Sequence, residues 1–511
     1  MRVHPDDRTG LRTAYLRMTD QEYSDIGAAC DRVLRAPGRG LARLAIPELH
    51  FLNEHPSAMA HYAPLLGGRP DRWFSILPKA LLRAGRGLAR SLFAPRATLL
   101  QRGPIDVLIV SHLLKPQQLR ENDDFYFGAL QSRLYDAGLS SMLLLINHLT
   151  ANPMERLTEP IFHPRLVLPG TVSLSAEAKI WLQCANASRA LRHEAASAVD
   201  LEDSKLAALA SRKVLSASTV VNLRMHAVLA GVCKAVDPKM VITTYEGTVA
   251  ERLIWQAARS AKRRPLCVGY QHASVLERAH AIRRPVAAQG LDCDPDVVLT
   301  LGEITHAALA ASPELKAVRF IQYGSHRRAT LPVLPELQHR PPRCIVLPDA
   351  SDQECVTLFD FALACARYRP DISFALRPHP VVDTHALLRR HPEFQRLPPN
   401  VTLAADGPLE REFAQARYCL YRSSSAALHA VRAGIKPYYL AQPGELPIDC
   451  LYAIPDWRET VTSPADLANR MGLGDPFTES TAANRAMDVC DRYVAPIRPA
   501  AINELVAMVP R

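Results

Sequence analysis

The stretch Lys239–Arg252, KMVITTYEGTVAER, decides how the chain is read. Met240–Thr244 is a short, β-branched run of the kind that forms a buried parallel strand. It stops at Tyr245-Glu246-Gly247, after which Val249, Leu253, Ile254 and Ala257 repeat at helical spacing on one face. A strand running straight into a helix is the unit of an open α/β sheet, and such sheets take ligands at the carboxyl ends of their strands. Glu246 is therefore expected where chemistry is done, and Gly247 is expected to remove a Cβ that would crowd a ligand. A carboxylate beside a helix N-terminus can also be a plain cap held by the dipole. The stretch alone leaves cap and catalyst equally open.

The same pattern recurs on both sides. Ile105–Ser111 is a strand, followed by the loop LLKPQQLRENDDFYFG, a helix from about Ala129 to Ala137, and the strand Met142–Ile146. Asp123 and Asp124 in that loop are expected to open into a cleft, with an N-cap as the plain alternative for Asp124. Leu166–Leu168 adds a strand, and Ser175 to about Val236 reads as an inserted helical layer. Leu266–Tyr270 runs on into Gln271 and His272, also at a strand end, and strands at Asp296–Leu301 and Ala317–Tyr323 follow. Residues 327–342, RRATLPVLPELQHRPP, read as a linker from their prolines and basic residues.

A second series opens at Cys344–Pro348 and alternates strand and helix to Lys436–Leu440. The organisation is a helical N-terminal segment (1–100), a Rossmann-like domain with a helical insertion (101–326), a second Rossmann-like domain (343–475) and a helical tail (476–511). Residues 1–70 carry no recognisable chemistry.

Composition narrows the function classes. A chain of 511 residues is too long for one core, and 48% hydrophobic with 22% charged residues is ordinary for a folded protein. No apolar run long enough for a transmembrane helix and no signal-peptide core is read, so a cytoplasmic protein is expected. The 11 scattered cysteines lack a C-x-x-C pair and are expected to be reduced and buried. A net charge of +10 favours an anionic partner. With aromatics at 6% and no nucleic-acid motif, a membrane surface or nucleotide-sugar phosphates fit better than nucleic acid.

Residues 72–96, RWFSILPKALLRAGRGLARSLFAPR, hold no acidic residue. On a helix, Trp73, Leu77, Leu81, Ala84, Leu88 and Leu92 form a stripe opposite Lys79, Arg83, Arg86 and Arg90. That pattern suits an anionic leaflet, so peripheral association with the inner membrane is expected; the plain alternative buries the stripe on the protein core.

Two junctions in the second domain complete the set. Arg377-Pro378-His379-Pro380 places donors at a strand end, where they would stabilise a departing nucleotide. Arg422-Ser423-Ser424-Ser425 opens a helix, where free N–H groups and hydroxyls bind phosphate, a plain serine cap being the alternative.

In this order, DDFYFG, TTYEGTVAER, GYQHA, RPHP and YRSSSAALHAVRAGIKPYYL resemble a two-Rossmann (GT-B) glycosyltransferase of bacterial surface-carbohydrate biosynthesis. The acidic-Gly, His-Pro and Ser-Ser motifs are similar to those of bacterial sialyltransferases and polysialyltransferases, and more loosely to capsule Kdo transferases. The resemblance implies an α/β GT-B fold and a catalytic pair of Glu246, as general base, and His379. It also implies that His379, Ser423 and Ser424 hold the CMP moiety. The motif here carries one carboxylate, Tyr245-Glu246-Gly247, where the sialyltransferase pattern allows two.

The reading is a glycosyltransferase moving a nonulosonic acid or Kdo-type sugar from a CMP-linked donor to a growing surface polysaccharide. Arg377, Arg422 and Ser425 join the expected phosphate site, and Asp123, Asp124, Gln271 and His272 the acceptor side. No essential cofactor or metal is expected, because Asp292-Cys293-Asp294 mimics a metal motif of a different fold and reads as a loop. The alternatives are a nucleotide-sugar epimerase of the same shape and a non-catalytic scaffold.

Overall fold

The computed structural model describes residues 18–509 except 37–39, 67–72, 93–104, 150–163, 284–292, 329, 332–333, 405–406 and 472–479. Asp292, in the Asp-x-Asp sequence, and the Trp73 side chain lie outside the described parts.

The first domain holds β1 (Val107–Leu113), β2 (Ser141–Asn147), β3 (Arg165–Val167), β4 (Met240–Thr244), β5 (Leu266–Tyr270), β6 (Val297–Thr300) and β7 (Arg319–Gln322). They form one sheet in the order β3-β2-β1-β4-β5-β6-β7, with every pair parallel. The second domain holds β8 (Arg343–Leu347), β9 (Ser373–Leu376), β10 (Val401–Leu403), β11 (Tyr418–Tyr421), β12 (Lys436–Leu440) and β13 (Glu459–Val461). Their order is β10-β9-β8-β11-β12-β13, again all parallel. Central strands such as β4 and β11 are buried at every residue, as strands covered by helices on both faces must be.

Both sheets start in the middle, wind outward, return and wind the other way. Strand order therefore reverses between β1 and β4 in the first domain and between β8 and β11 in the second. Those switch points are where an open α/β sheet leaves a crevice for a ligand. Two such domains make the GT-B architecture that the resemblance implies. β13, only three residues long, is too short to show a periodic pattern in the sequence.

Several segments bind the two domains together. The helix Ser480–Tyr493 follows the second sheet but packs on helices of both domains, Ala426–Arg432 and Glu303–Ala310. The chain then returns along the first domain, where Ala495 N–H donates to the Leu301 carbonyl at 3.0 Å and Arg498 N–H to that of Tyr323 at 2.8 Å. Gly324, at φ +97°, admits this crossing, since a Cβ there would lie 2.2 Å from the Pro496 carbonyl oxygen.

The N-terminal segment is a second tie. Its helix Asp20–Arg35 starts on a Thr19/Glu22 capping box and pairs Arg32 with Asp203 at 2.7 Å. Further on, His50 Nδ1 meets Arg252 Nη1 at 3.1 Å, the Leu52 carbonyl accepts from Ala281 N–H at 3.0 Å, and Glu54 accepts from Arg278 N–H at 2.8 Å. The next residue, His55, reaches the second domain.

The helix Trp73–Leu92 runs unbroken through Pro78. It docks through Ala80 and Gly87, where a Cβ on Gly87 would collide with the Glu177 and Arg224 side chains. The leucine stripe does not enter the core: Leu77, Leu81 and Leu92 are 48%, 72% and 64% exposed, and Leu82 beside them 55%. The helix Ala217–Val236 is long and apolar enough to cross a membrane, yet it packs on Val249–Ala258 with half of its apolar stretch buried.

Candidate functional site

The site is built on the turn after β4. Glu251, nearly fully buried, collects the N–H groups of Glu246, Gly247 and Thr248 at 2.8–3.0 Å and the Thr244 hydroxyl at 2.9 Å. Thr248 caps the following helix reciprocally. Burial and the nearby charge of Glu246 push the Glu251 carboxyl up to about 8, against the pull of those donors. Gly247 sits at φ +82°, and a Cβ there would lie 2.6 Å from the Ala281 backbone. Its lack of a side chain serves close packing of the turn on 280–283, not ligand access. Glu251 thus takes the capping role, which frees the Glu246 side chain.

The Glu246 carboxylate is ringed by protein but 43% exposed to the cleft, and its Oε1 lies 3.0 Å from His272 Nε2 at the end of β5. Burial would raise its pKa; the charge and hydrogen bond of His272, aided by the Arg327 charge, more than offset this and hold it below the ordinary glutamate value. The His272 ring is buried, packs on Tyr126 with centroids 4.7 Å apart, and keeps Nδ1 without a hydrogen-bond partner among the described residues. His112, at the end of β1, pairs with His148 at 2.9 Å. Burial and His148 bring its pKa down to about 4, so it stays neutral.

Arg327 belongs to this group although it reads as linker. Its guanidinium donates to the Phe125 carbonyl at 2.8 and 3.2 Å and stacks 4.1 Å from the Phe125 ring. Its charge bears on both Glu246 and His379. Lys115, on the loop after β1, donates across the cleft to the Pro380 carbonyl.

On the second domain, His379 follows β9. Val381 N–H donates to its Nδ1 at 3.2 Å, which leaves the proton of the neutral ring on Nε2 as a donor. Burial lowers its pKa, with Asp349 opposing and Arg327 and Lys115 adding to the lowering, so the ring is neutral at pH 7. Ser423, after β11, donates to Asp349, after β8, at 2.9 Å and so bridges the switch point of the second sheet. Ser424 is buried, and Ser425 is exposed at the start of the helix Ala426–Arg432 without acting as a side-chain cap.

Four expected site residues are committed elsewhere. Arg422 is 1% exposed and paired with Glu354 at 2.9 Å and Glu445 at 2.5 Å, both buried. In this structure its charge is taken up by those two carboxylates. Arg377 donates to the carbonyls of Ala404, at 2.8 Å, and Gly407, tying down the loop after β10. Gln271 is fully buried and bonds the Leu301 N–H and the Ala273 carbonyl. Asp124 is buried and accepts from Ser111, Tyr126 and Phe127 at 2.8–3.0 Å, shaping its own turn. Asp123 lies apart, lining a cavity of about 370 Å³ with Arg133, His326 and Arg328.

Two residues that sequence reading missed matter here. Glu251 carried a visible signal, the Thr248-x-x-Glu251 capping box. Arg327 carried none, because its neighbours in sequence are those of a linker.

No family model matches this chain and no curated protein matches it. Among solved structures it is similar to the glycosyltransferase SnogD from Streptomyces nogalater, with 15% identity, a TM-score of 0.43, and 80% of this chain and 100% of that one covered. It is also similar to UDP-GlcNAc 2-epimerase from Neisseria meningitidis bound to UDP-GlcNAc, at 11% identity and TM-score 0.44 over 79% of this chain and 100% of that one. Acinetobacter baumannii MurG matches at 11% identity and TM-score 0.39, over 79% and 99%. These likenesses are distant, and the fold stands on the strand order of the two sheets.

Proposed function

We propose that the protein is a nucleotide-sugar-dependent glycosyltransferase with its site in the interdomain cleft. One observation carries the reading: the Glu246–His272 pair, after β4 and β5 beside the first sheet's switch point, shares a cleft with the His379 loop of the second domain, where Lys115 of the first domain donates to the Pro380 carbonyl and the Arg327 charge bears on both Glu246 and His379. Glu246, ionised at neutral pH, accepts the proton of an acceptor hydroxyl while His272 holds it in place. The His379 Nε2–H and the Arg327 charge stabilise the nucleotide as it leaves.

With Arg377 and Arg422 committed elsewhere, the donor side offers a neutral histidine, serine hydroxyls and the cations Arg327 and Lys115. That modest set favours a nucleoside monophosphate leaving group, in keeping with a CMP-linked nonulosonic acid or Kdo-type sugar passed to a surface polysaccharide. Incubating CMP-, UDP- and dTDP-sugars with and without acceptor glycan tests this. Turnover that requires the acceptor supports a transferase, and conversion of the donor alone replaces it with an epimerase.

The two sides of the cleft separate by mutation. His379→Ala is expected to weaken nucleotide binding roughly tenfold or more, the worth of one good charge-assisted hydrogen bond. Glu246→Gln is expected to leave that binding nearly intact. Calorimetric titration checks both, and unchanged affinity in His379→Ala contradicts its role.

The proposed place of action is the cytoplasmic face of the inner membrane. The exposed Leu77, Leu81, Leu82 and Leu92 share the helix Trp73–Leu92 with Lys79, Arg86 and Arg90, and no acidic residue interrupts it. At about 1 kcal/mol per basic residue near an anionic surface, changing those three cations to Gln is expected to weaken vesicle binding roughly 100-fold. High salt should do the same by screening. Leu81→Ser with Leu92→Ser is expected to weaken binding at low and high salt alike. Wild type that fails to sediment with phosphatidylglycerol vesicles at low salt contradicts the membrane role.

A further inference from the structure

The switch point of the second sheet carries an unusual charge balance. Three buried or half-buried carboxylates, Asp349, Glu354 and Glu445, stand close to where a nucleotide would lie. Arg422 pairs with two of them, Glu354 and Glu445. The third, Asp349, is met by a residue from outside both Rossmann-like domains. His55 Nε2 lies 2.8 Å from Asp349 Oδ2, while His55 Nδ1 lies 2.7 Å from the Ser57 hydroxyl, an oxygen able to accept the second ring proton of a charged imidazole. Asp349 in turn accepts from Ser423 Oγ at 2.9 Å and from Ser351 N–H at 2.9 Å.

His55 is delivered there by a strap whose preceding residues are fixed to the first domain. His50, Leu52 and Glu54 bond Arg252, Ala281 and Arg278, beside the turn that presents Glu246. A buried carboxylate at this place would repel an anionic ligand unless its charge were met. Burial works to raise the Asp349 pKa, but His55 and Ser423 keep it below the ordinary aspartate value; burial works to lower the His55 pKa, but Asp349 lifts it above the ordinary imidazole value, so each partner favours the other's charged form.

We propose that the N-terminal segment completes the nucleotide site: His55 neutralises Asp349 so that the phosphate of a nucleotide can occupy the β8/β11 switch point beside Ser423. This rests on the reading of the second domain as the nucleotide side. His55 is a positioning residue, acting through Asp349 and not on the reacting atoms.

The test is calorimetric titration of CMP, UDP and dTDP into the full chain, with melting curves confirming that each variant folds. His55→Ala is expected to weaken nucleotide binding roughly tenfold, since an unmet charge within a few ångströms of a phosphate acts strongly at a protein surface. Its effect should fall on KM for the donor and not on kcat. Adding Asp349→Asn to His55→Ala removes the orphaned charge and is expected to restore most of the affinity, a rescue that lost packing would not give. His55→Gln, which keeps a donor but cannot carry charge, should fall between wild type and His55→Ala. Wild-type affinity in folded His55→Ala, or no recovery in the double variant, overturns the inference alone. Binding of no nucleotide by the wild type overturns the reading beneath it, and this inference with it.

Discussion

Glu246→Gln is expected to lower kcat by roughly two to four orders of magnitude, the range that loss of a positioned general base brings. The substitution keeps the side chain's size and a hydrogen-bonding partner for His272 at 3.0 Å. It leaves the turn intact, because the turn hangs on Glu251, which holds the N–H groups of residues 246–248. A fall in rate therefore reports proton transfer and not local unfolding. The pH profile carries the same information. His272 and its neighbours hold the Glu246 pKa below its ordinary value against the effect of burial, so the base form persists into acid. The acid limb of kcat/KM is expected to lie below the usual glutamate pKa of about 4.3 and to belong to the Glu246–His272 pair as a unit. Turnover close to wild type in Glu246→Gln removes it as the base.

Arg422→Met is expected to cost about 3–5 kcal/mol of stability, among the largest single-residue effects in the chain. The side chain is 1% exposed between Glu354 and Glu445, and its removal leaves two buried carboxylates facing each other without a cation. Burial already raises the pKa of both, with Arg422 opposing. In the variant that opposition is gone, so both protonate in the folded state more readily than in the unfolded one. Groups with raised folded pKa values stabilise below the unfolded value and lose that contribution as pH rises through the folded value. The deficit against wild type should therefore be small near pH 4 and grow toward neutrality. Urea unfolding at several pH values measures it. Adding Glu354→Gln and Glu445→Gln should recover much of the loss. A stable Arg422→Met with weakened nucleotide binding would instead return Arg422 to the phosphate site.

The two arginines show where sequence reading stops. Both Arg377 and Arg422 stand just past a strand's carboxyl end, as Glu246 does, and that much follows from β-branched runs giving way to helical spacing. What a side chain does there depends on residues remote in sequence. Glu354 and Glu445 claim Arg422, and the carbonyls of Ala404 and Gly407 claim Arg377. Nothing in RPHP or YRSSS announces those partners. Gln271 and Asp124 were lost to the site in the same way, each consumed by its own backbone surroundings. The converse holds for Arg327 and His55, which occupy irregular stretches with no periodicity to flag them. The strands were legible because their burial on both faces demands continuous apolar runs. The leucine stripe of Trp73–Leu92 is legible too, but only packing shows that Ala80 and Gly87, and not Leu77, Leu81 or Leu92, face the protein.

The central claim is that the cleft binds a nucleotide on its second-domain side. Thermal unfolding of the wild type with increasing CMP, UDP, GDP and CDP tests it most directly, since a ligand of the folded state raises the melting temperature by mass action. The account predicts a concentration-dependent rise with at least one of them, CMP foremost, retained in Glu246→Gln and lost or much reduced in His379→Ala. No rise with any of the four at millimolar concentration would contradict it.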